Sequence, residues 1–378
     1  MKRRGVPAAR RRLMQASAFA CLAVLSACAS PQCGPFEGMP AHHGIGGFCN
    51  PPGSPETTAN VFEEAVDGFR LATSRHRGPV PAEYFADPAV TLATLRTPSE
   101  QDRITWLGHA TVLVEMDGKR FLVDPVWSTY VTPLPPIGPR RVAPPPVALA
   151  DLPPIVAIIV THDHYDHLDR PTLDAMPGKD GIEVIVPLGL GGKLRAMGFA
   201  DVTEMDWWQE REVAGLSLRA LPALHESGRG LLRKDATLWA SFALEGRGES
   251  ASRVYLSGDS GYFTHFAQIG ARYGPFDLAV MNLGGYAPGD VARANHFDPA
   301  QSIRAVRDLG ARTAVPVHWA TYPLGAEGVF TPGPAFLASA EAAGLEPGRA
   351  VLMKVGETRT INGQVPAPVS KGSGRPSS

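Results

Sequence analysis

The stretch Ile155-Val156-Ala157-Ile158-Ile159-Val160-Thr161-His162-Asp163-His164-Tyr165-Asp166-His167 decides how this chain is read. Its first half is a continuous run rich in β-branched residues, the pattern of a strand buried on both faces. Its second half places three of the eleven histidines and two aspartates within six residues. A strand ending at the carboxyl edge of an α/β sheet delivers its loop into a crevice, and a tight turn there brings His162, His164, Asp166 and His167 together. Imidazole nitrogen and carboxylate oxygen suit zinc and similar divalent ions, and four such groups can serve two of them.

Further donors follow other apolar runs. Leu216–Leu221 leads to His225, residues 253–257 lead to Asp259, and Thr313–Val317 leads to His318. One histidine behind a strand is ordinarily a packed or surface residue; three groups in equivalent places after the first motif point to one sheet edge. Residues 104–107 and Thr111–Met116 read as strands, with Asp117-Gly118 as a hairpin turn into 121–123. Residues 183–186, 238–244 and Leu278–Asn282 read likewise. Asp298 caps a helix, with Pro299 at its first position, Gln301 completing a capping box and Gly310 past its end. These elements predict one α/β domain over residues 95–362, a helical extension at 61–94 and a Pro/Ser/Gly-rich disordered tail at 363–378.

The motif at 161–168, with His225, Asp259 and His318 downstream, resembles the metallo-β-lactamase fold, a four-layer αββα sandwich. Within it, Ile104 to Thr111, Tyr273-Gly274-Pro275-Phe276-Asp277-Leu278-Ala279, His296-Phe297-Asp298-Pro299 and Val317-His318-Trp319 resemble the N-acyl-phosphatidylethanolamine-hydrolysing phospholipase D group. The resemblance implies two Zn2+, with Mn2+ or Fe2+ as alternatives. His162, His164 and His225 would hold one ion; Asp166, His167 and His318 would hold the other, and Asp259 would bridge. It gives Asp166, Asp259 and His296 catalytic roles, His296 by binding the scissile phosphate or protonating the leaving oxygen.

Supporting roles fall to His109, which braces the site, and to Asp124, which either orients a ligand histidine or caps a turn. Arg229 and Arg233 carry the guanidinium geometry that clamps phosphate. Trp207 and Trp208 either cover the site or pack in the core. Two departures from the phospholipase pattern stand out. Trp319 is followed by Ala320 where glycine is common, which predicts a local packing effect. Residues 282–289 lack the charged residues that flank the corresponding proline, so a lipid headgroup would lose those contacts.

The first twelve residues hold Lys2, Arg3, Arg4, Arg10, Arg11 and Arg12, and an apolar stretch runs on to Ala27. That stretch is short for a bilayer span of about 20 residues and reads as a signal peptide. Leu25-Ser26-Ala27-Cys28 resembles a bacterial lipobox, with Cys28 as the lipidated residue; Arg10-Arg11-Arg12-Leu13-Met14 permits twin-arginine as well as Sec export. Ala29 gives no inner-membrane retention signal, so the outer membrane, facing the periplasm, is expected. Proline-rich residues 28–60 read as a tether with exposed His42 and His43; Cys33 and Cys49 form either a disulfide or two free thiols. Without the basic leader, 30 bases face 37 acids. That balance argues against a nucleic-acid partner held by bulk electrostatics.

The expected function is therefore a membrane-tethered binuclear zinc hydrolase that cleaves phosphodiester bonds, phospholipase D-like, with a phospholipid as substrate. A metal-dependent lactonase, or a hydrolase of carboxylic or sugar-phosphate esters, would use the same ions. A non-catalytic envelope lipoprotein is the alternative outside enzymes, and it fits poorly with a complete ligand set.

Overall fold

The computed structural model describes residues 31–54, 73–229, 234–248, 251–287 and 294–361. Its frame is two sheets packed face to face. The first contains β3 (Arg103–Gly108), β4 (Thr111–Met116), β5 (Lys119–Val123), β6 (Ala157–Ile159), β7 (Glu183–Pro187), β8 (Asp201–Met205) and β15 (Thr358–Thr360), in the order β15-β3-β4-β5-β6-β7-β8. The second contains β9 (Glu210–Val213), β10 (Leu216–Leu221), β11 (Ser241–Glu245), β12 (Arg253–Leu256), β13 (Leu278–Asn282) and β14 (Thr313–Val317), in the order β14-β13-β12-β11-β10-β9.

The inner strands, β3, β4, β6 and β13 among them, are buried on both faces, which explains their near-continuous apolar runs. Ile104, Val114, Phe121 and Ile159 meet Leu218, Phe242, Val254 and Val280 between the sheets. The outer face of the first sheet presents Leu113, Leu122 and Ile158 to Leu95 of α1 (Pro88–Arg96), Leu173 of α2 (Arg170–Asp174) and Leu194 of α3 (Gly191–Ala196). The outer face of the second presents Tyr255, Ala279 and Met281 to α4 (His265–Tyr273), α5 (Pro299–Asp308) and α6 (Pro332–Ala342). The layers run αββα, as the resemblance implies. Each fully buried aliphatic or aromatic side chain contributes about 1.5–3 kcal/mol.

Strand direction places the site. β5 to β8 run parallel, as do β12 to β14. β10 shares the direction of β12 because β11 lies antiparallel to both. The carboxyl ends of β5, β6, β10, β12, β13 and β14 therefore deliver their loops to one edge of the sandwich. There the sheets' loops can meet without burying unpaired strand edges.

The N-terminal segment departs from the expected tether. Residues 31–54 lie against the domain, with a short hairpin of β1 (His43–Gly44) and β2 (Gly47–Phe48) and a Cys33–Cys49 disulfide. His42 is 8% exposed, because its ring stacks on Trp207 and its Nε2 bonds Asp206 at 2.6 Å. A proline-rich composition favours extended chain, but here the contacts of His42 and His43 with Asp206, a crosslink and backbone hydrogen bonds hold it down. α1 spans the end of the 61–94 extension and the first residues of the domain expected from about residue 95. The leader with Cys28, Arg233 and the 363–378 tail lie outside the described residues.

Candidate metal-binding active site

Seven predicted donors converge at the carboxyl edge. After β6 the chain turns so that His164 O accepts from the backbone N–H of both His167 and Leu168, which folds the motif back on itself. His162 Nε2 lies 3.0 Å from His164 Nδ1, which lies 3.2 Å from His225 Nε2. A second group forms beside it, where Asp166 Oδ2 lies 3.3 Å from His318 Nε2 and 3.8 Å from His167 Nε2. Asp259 stands between the two. Its Oδ2 is 3.1 Å from His167 Nε2, 3.3 Å from His318 Nε2, and 3.8 Å from both His162 Nε2 and His225 Nε2.

Ring nitrogens this close share a common focus. Ligands about 2.0–2.1 Å from one tetrahedral ion lie roughly 3.4 Å apart, close to the spacing of the three-histidine group. The Nε2 atoms of His167 and His318 are buried and have no hydrogen-bond partner, although an orphaned buried polar atom is costly. A cation would satisfy both, so these residues fit a divalent ion on each side of Asp259.

The electrostatics agree. Burial, reinforced by mutual repulsion with neighbouring imidazoles, holds His162 well below the ordinary histidine range. Burial likewise depresses His225, against the pull of Asp259. Both are thus neutral, the form that ligates metal. Burial also opposes charge on His167 and His318, but Asp259 leads the surrounding carboxylates in overcoming it and raises both, His318 to about 9. Burial tends to raise Asp166 and Asp259 too, yet the imidazoles around them, His167 foremost, hold both carboxylates well below their usual range. A site that stabilises positive charge on its own imidazoles attracts cations.

Outer partners fix these rings. Asp124 Oδ2 accepts from His167 Nδ1 at 2.7 Å and from Thr161 Oγ1 at 2.8 Å, so Asp124 orients a candidate ligand. His109 Nε2 lies 2.9 Å from Asp166 Oδ2, and burial lowers this imidazole to about 3. His296 faces the centre with Nδ1 3.8 Å from Asp259 Oδ2, and burial lowers it to about 4. Arg229 lies beside the motif, where Nη1 donates to the carbonyls of Asp163 and Leu168 and the guanidinium covers Tyr165 at 4.0 Å. That arrangement holds the loop that carries the histidine–aspartate motif. Trp207 packs in the core, its indole N–H donating to Trp239 O.

Backbone conformation at the site is unusual. His109, Asp124, His318 and Ala320 all have positive φ, at 51°, 42°, 69° and 55°. Left-handed backbone disfavours a Cβ, so the glycine common at position 320 is a matter of chain conformation as well as packing. Several working residues were invisible in the sequence. Asn282 Nδ2 donates to Asp259 Oδ1 at 2.8 Å, and the backbone carbonyl of Asn295 meets His225 Nδ1 at 3.0 Å. Glu327 Oε1 and Oε2 accept from the Gly285 and Ala287 backbones, so a distant acid braces the loop that lacks its own.

The β-lactamase superfamily domain profile matches residues 119–319, more than half of the chain. The chain belongs to the β-lactamase superfamily. An uncharacterised Mycobacterium tuberculosis protein is 41% identical over 279 residues, which are 72% of this chain and 71% of that one. The N-acyl-phosphatidylethanolamine-hydrolysing phospholipase D 1 of Caenorhabditis elegans is 38% identical over 232 residues, 58% of this chain and 64% of that one. Among solved structures, an isothiocyanate hydrolase from Delia radicum gut bacteria aligns with a TM-score of 0.55 at 21% identity, over 68% of this chain and 98% of that one. This superfamily member is a metal-dependent hydrolase of the β-lactamase fold, and it has phospholipase D homologues.

Proposed function

We propose that this hydrolase is a binuclear zinc phosphodiesterase of the phospholipase D type. The observation that carries the metal reading is the pair of donor groups on either side of Asp259 Oδ2. His162, His164 and His225 would hold one ion, and Asp166, His167 and His318 the other. When bound, such a pair supplies an activated water and neutralises charge on phosphoryl oxygens. Asp166 and Asp259, kept ionised by their imidazole neighbours, accept hydrogen bonds from that water and orient it. His296, neutral and at the open side, donates a hydrogen bond to a phosphate or leaving oxygen.

A phospholipid is favoured over a small sugar phosphate by the surroundings. A cavity of about 440 Å3 adjoins the motif at Tyr165 and Arg229, with Tyr130, Pro133 and Pro135 on an apolar side and Arg229, Arg170 and Asp169 on a charged one, a pairing that matches a molecule with an apolar part and a phosphate. Leu134 beside it is 67% exposed, an apolar tip suited to acyl chains or a lipid surface. Tethering through Cys28 at the outer membrane would bring this rim to its substrate. Among the described residues no helix is long and apolar enough to cross a membrane, so the leader and lipid would have to supply the attachment.

The test is metal content and hydrolysis of bis(p-nitrophenyl) phosphate by the purified chain, followed by phospholipid vesicles. Two zinc ions per chain and turnover are expected. Asp166→Ala should lower kcat by about 10³ or more, since it removes a metal-holding carboxylate and a water-orienting group together. Two ions with hydrolysis of lactones but not of diesters would replace this reading with the lactonase one.

A further inference from the structure

We infer that the N-terminal strap, residues 31–54, is part of the catalytic machinery, and that Asn50 is the positioning residue through which it sets His225. The inference rests on the metal-centre reading of His225. Asn50 Oδ1 accepts from the His225 backbone N–H at 3.0 Å, and Asn50 Nδ2 donates to the His225 carbonyl at 2.8 Å. One side chain thus pins both polar groups of a candidate ligand's own residue, across 175 positions of sequence. The ring is held separately by the Asn295 carbonyl at Nδ1, which leaves Nε2 for the three-histidine group.

The strap is itself fixed on either side of Asn50. Cys49, its neighbour, is crosslinked to Cys33 and donates its backbone N–H to His42 O. His42 and His43 bond the two oxygens of Asp206. Phe48 donates its backbone N–H to Asp235 O at 2.7 Å, and Asp235 bonds the backbone of Ser227, two residues past His225. The seat is shaped for this strap: a Cβ on Gly47 would lie 2.1 Å from Asp235 O. The strap therefore holds His225 directly through Asn50 and reaches Ser227 through Asp235, to which Phe48 is bonded. A chain shortened to begin after the strap would keep all seven donors and lose the frame that aims one of them.

A positioning role differs from a merely stabilising one in what it moves. The full chain, loaded with zinc, is dialysed against a graded chelator series, and retained zinc, thermal unfolding of the metal-free protein, kcat and KM are read for wild type, Asn50→Ala and Asn50→Asp. Removing an outer support of a metal ligand weakens metal binding about 10–100-fold. Asn50→Ala should shift retention of one ion by that factor and lower kcat with KM within about twofold, while the metal-free melting temperature changes little. Asn50→Asp keeps the acceptor for the His225 N–H and should recover part of the retention. Unchanged retention in both variants, or a loss only of melting temperature, overturns the inference while leaving the metal centre standing. Weakened retention in a protein that hydrolyses no diester supports the strap and sinks the phosphodiesterase reading alone. Wild type that holds no zinc sinks both.

Discussion

At the residue scale, the chemistry depends on how few atoms are free to choose their partners. Asp124 accepts through both oxygens, from the Thr161 backbone at Oδ1 and from Thr161 Oγ1 and His167 Nδ1 at Oδ2. An amide in its place would turn an NH2 toward these donors on one side. Asp124→Asn should therefore weaken retention of the ion at His167 about 10–100-fold, and metal content after dialysis should fall from two toward one while the three-histidine group keeps its ion. Equal loss of both ions would instead mean that Asp124 supports the whole edge. The convergence of the candidate donors was legible because His and Asp are rare in such density and each group follows a strand. Asn50, Asn282 and Thr161 were not, because amides and hydroxyls are common in loops and act here over distances in sequence that no local pattern records.

At the element scale, the strands were legible where both faces are buried. Thr111–Met116, Leu278–Asn282 and Thr313–Val317 stand as read, since every second residue has a core to enter on either side, and Leu216–Leu221 stands on its alternation, with Ser217 and Arg219 turned toward the partly exposed face. β9 was missed, with three of its four residues exposed and two of them glutamates, as is usual for an edge that repels further pairing. β6 is shorter than its apolar run because only residues 157–159 pair with both neighbours. The best-specified helix is α5. Asp298 accepts from the Gln301 backbone at 2.8 Å, and Gln301 Oε1 takes the Asp298 N–H in return. Asp298→Ala should cost about 1 kcal/mol and lower Tm by about 2–4 °C in a thermal melt. A change within error would show that packing of Ile303 and Val306 alone holds this helix.

At the scale of the whole molecule, the strap closes the seam between the sheets. Asp206 and Trp207 lie where the chain leaves β8, the last strand of one sheet, for β9, the last strand of the other. His42 and His43 grip the molecule at that crossing, so the segment that reaches His225 is anchored to both layers. Burial tends to raise the Asp206 carboxyl, but His42, then the Trp207 N–H and His43, outweigh it and hold the group below the ordinary range. A depressed carboxylate stabilises the fold above its unfolded pKa of about 3.9, and that contribution disappears as pH falls through the lower folded value. The anchor should therefore hold at neutral pH and weaken below about pH 4. Hydrogen exchange across residues 40–50 should be slow at pH 5 and, after correction for the intrinsic pH dependence, lose protection toward pH 3. Asp206→Asn should lose protection already at pH 7 and flatten the profile. A wild-type profile that stays flat to pH 3 would mean that the disulfide and the Asn50 and Phe48 contacts hold the strap without the histidine–Asp206 contacts.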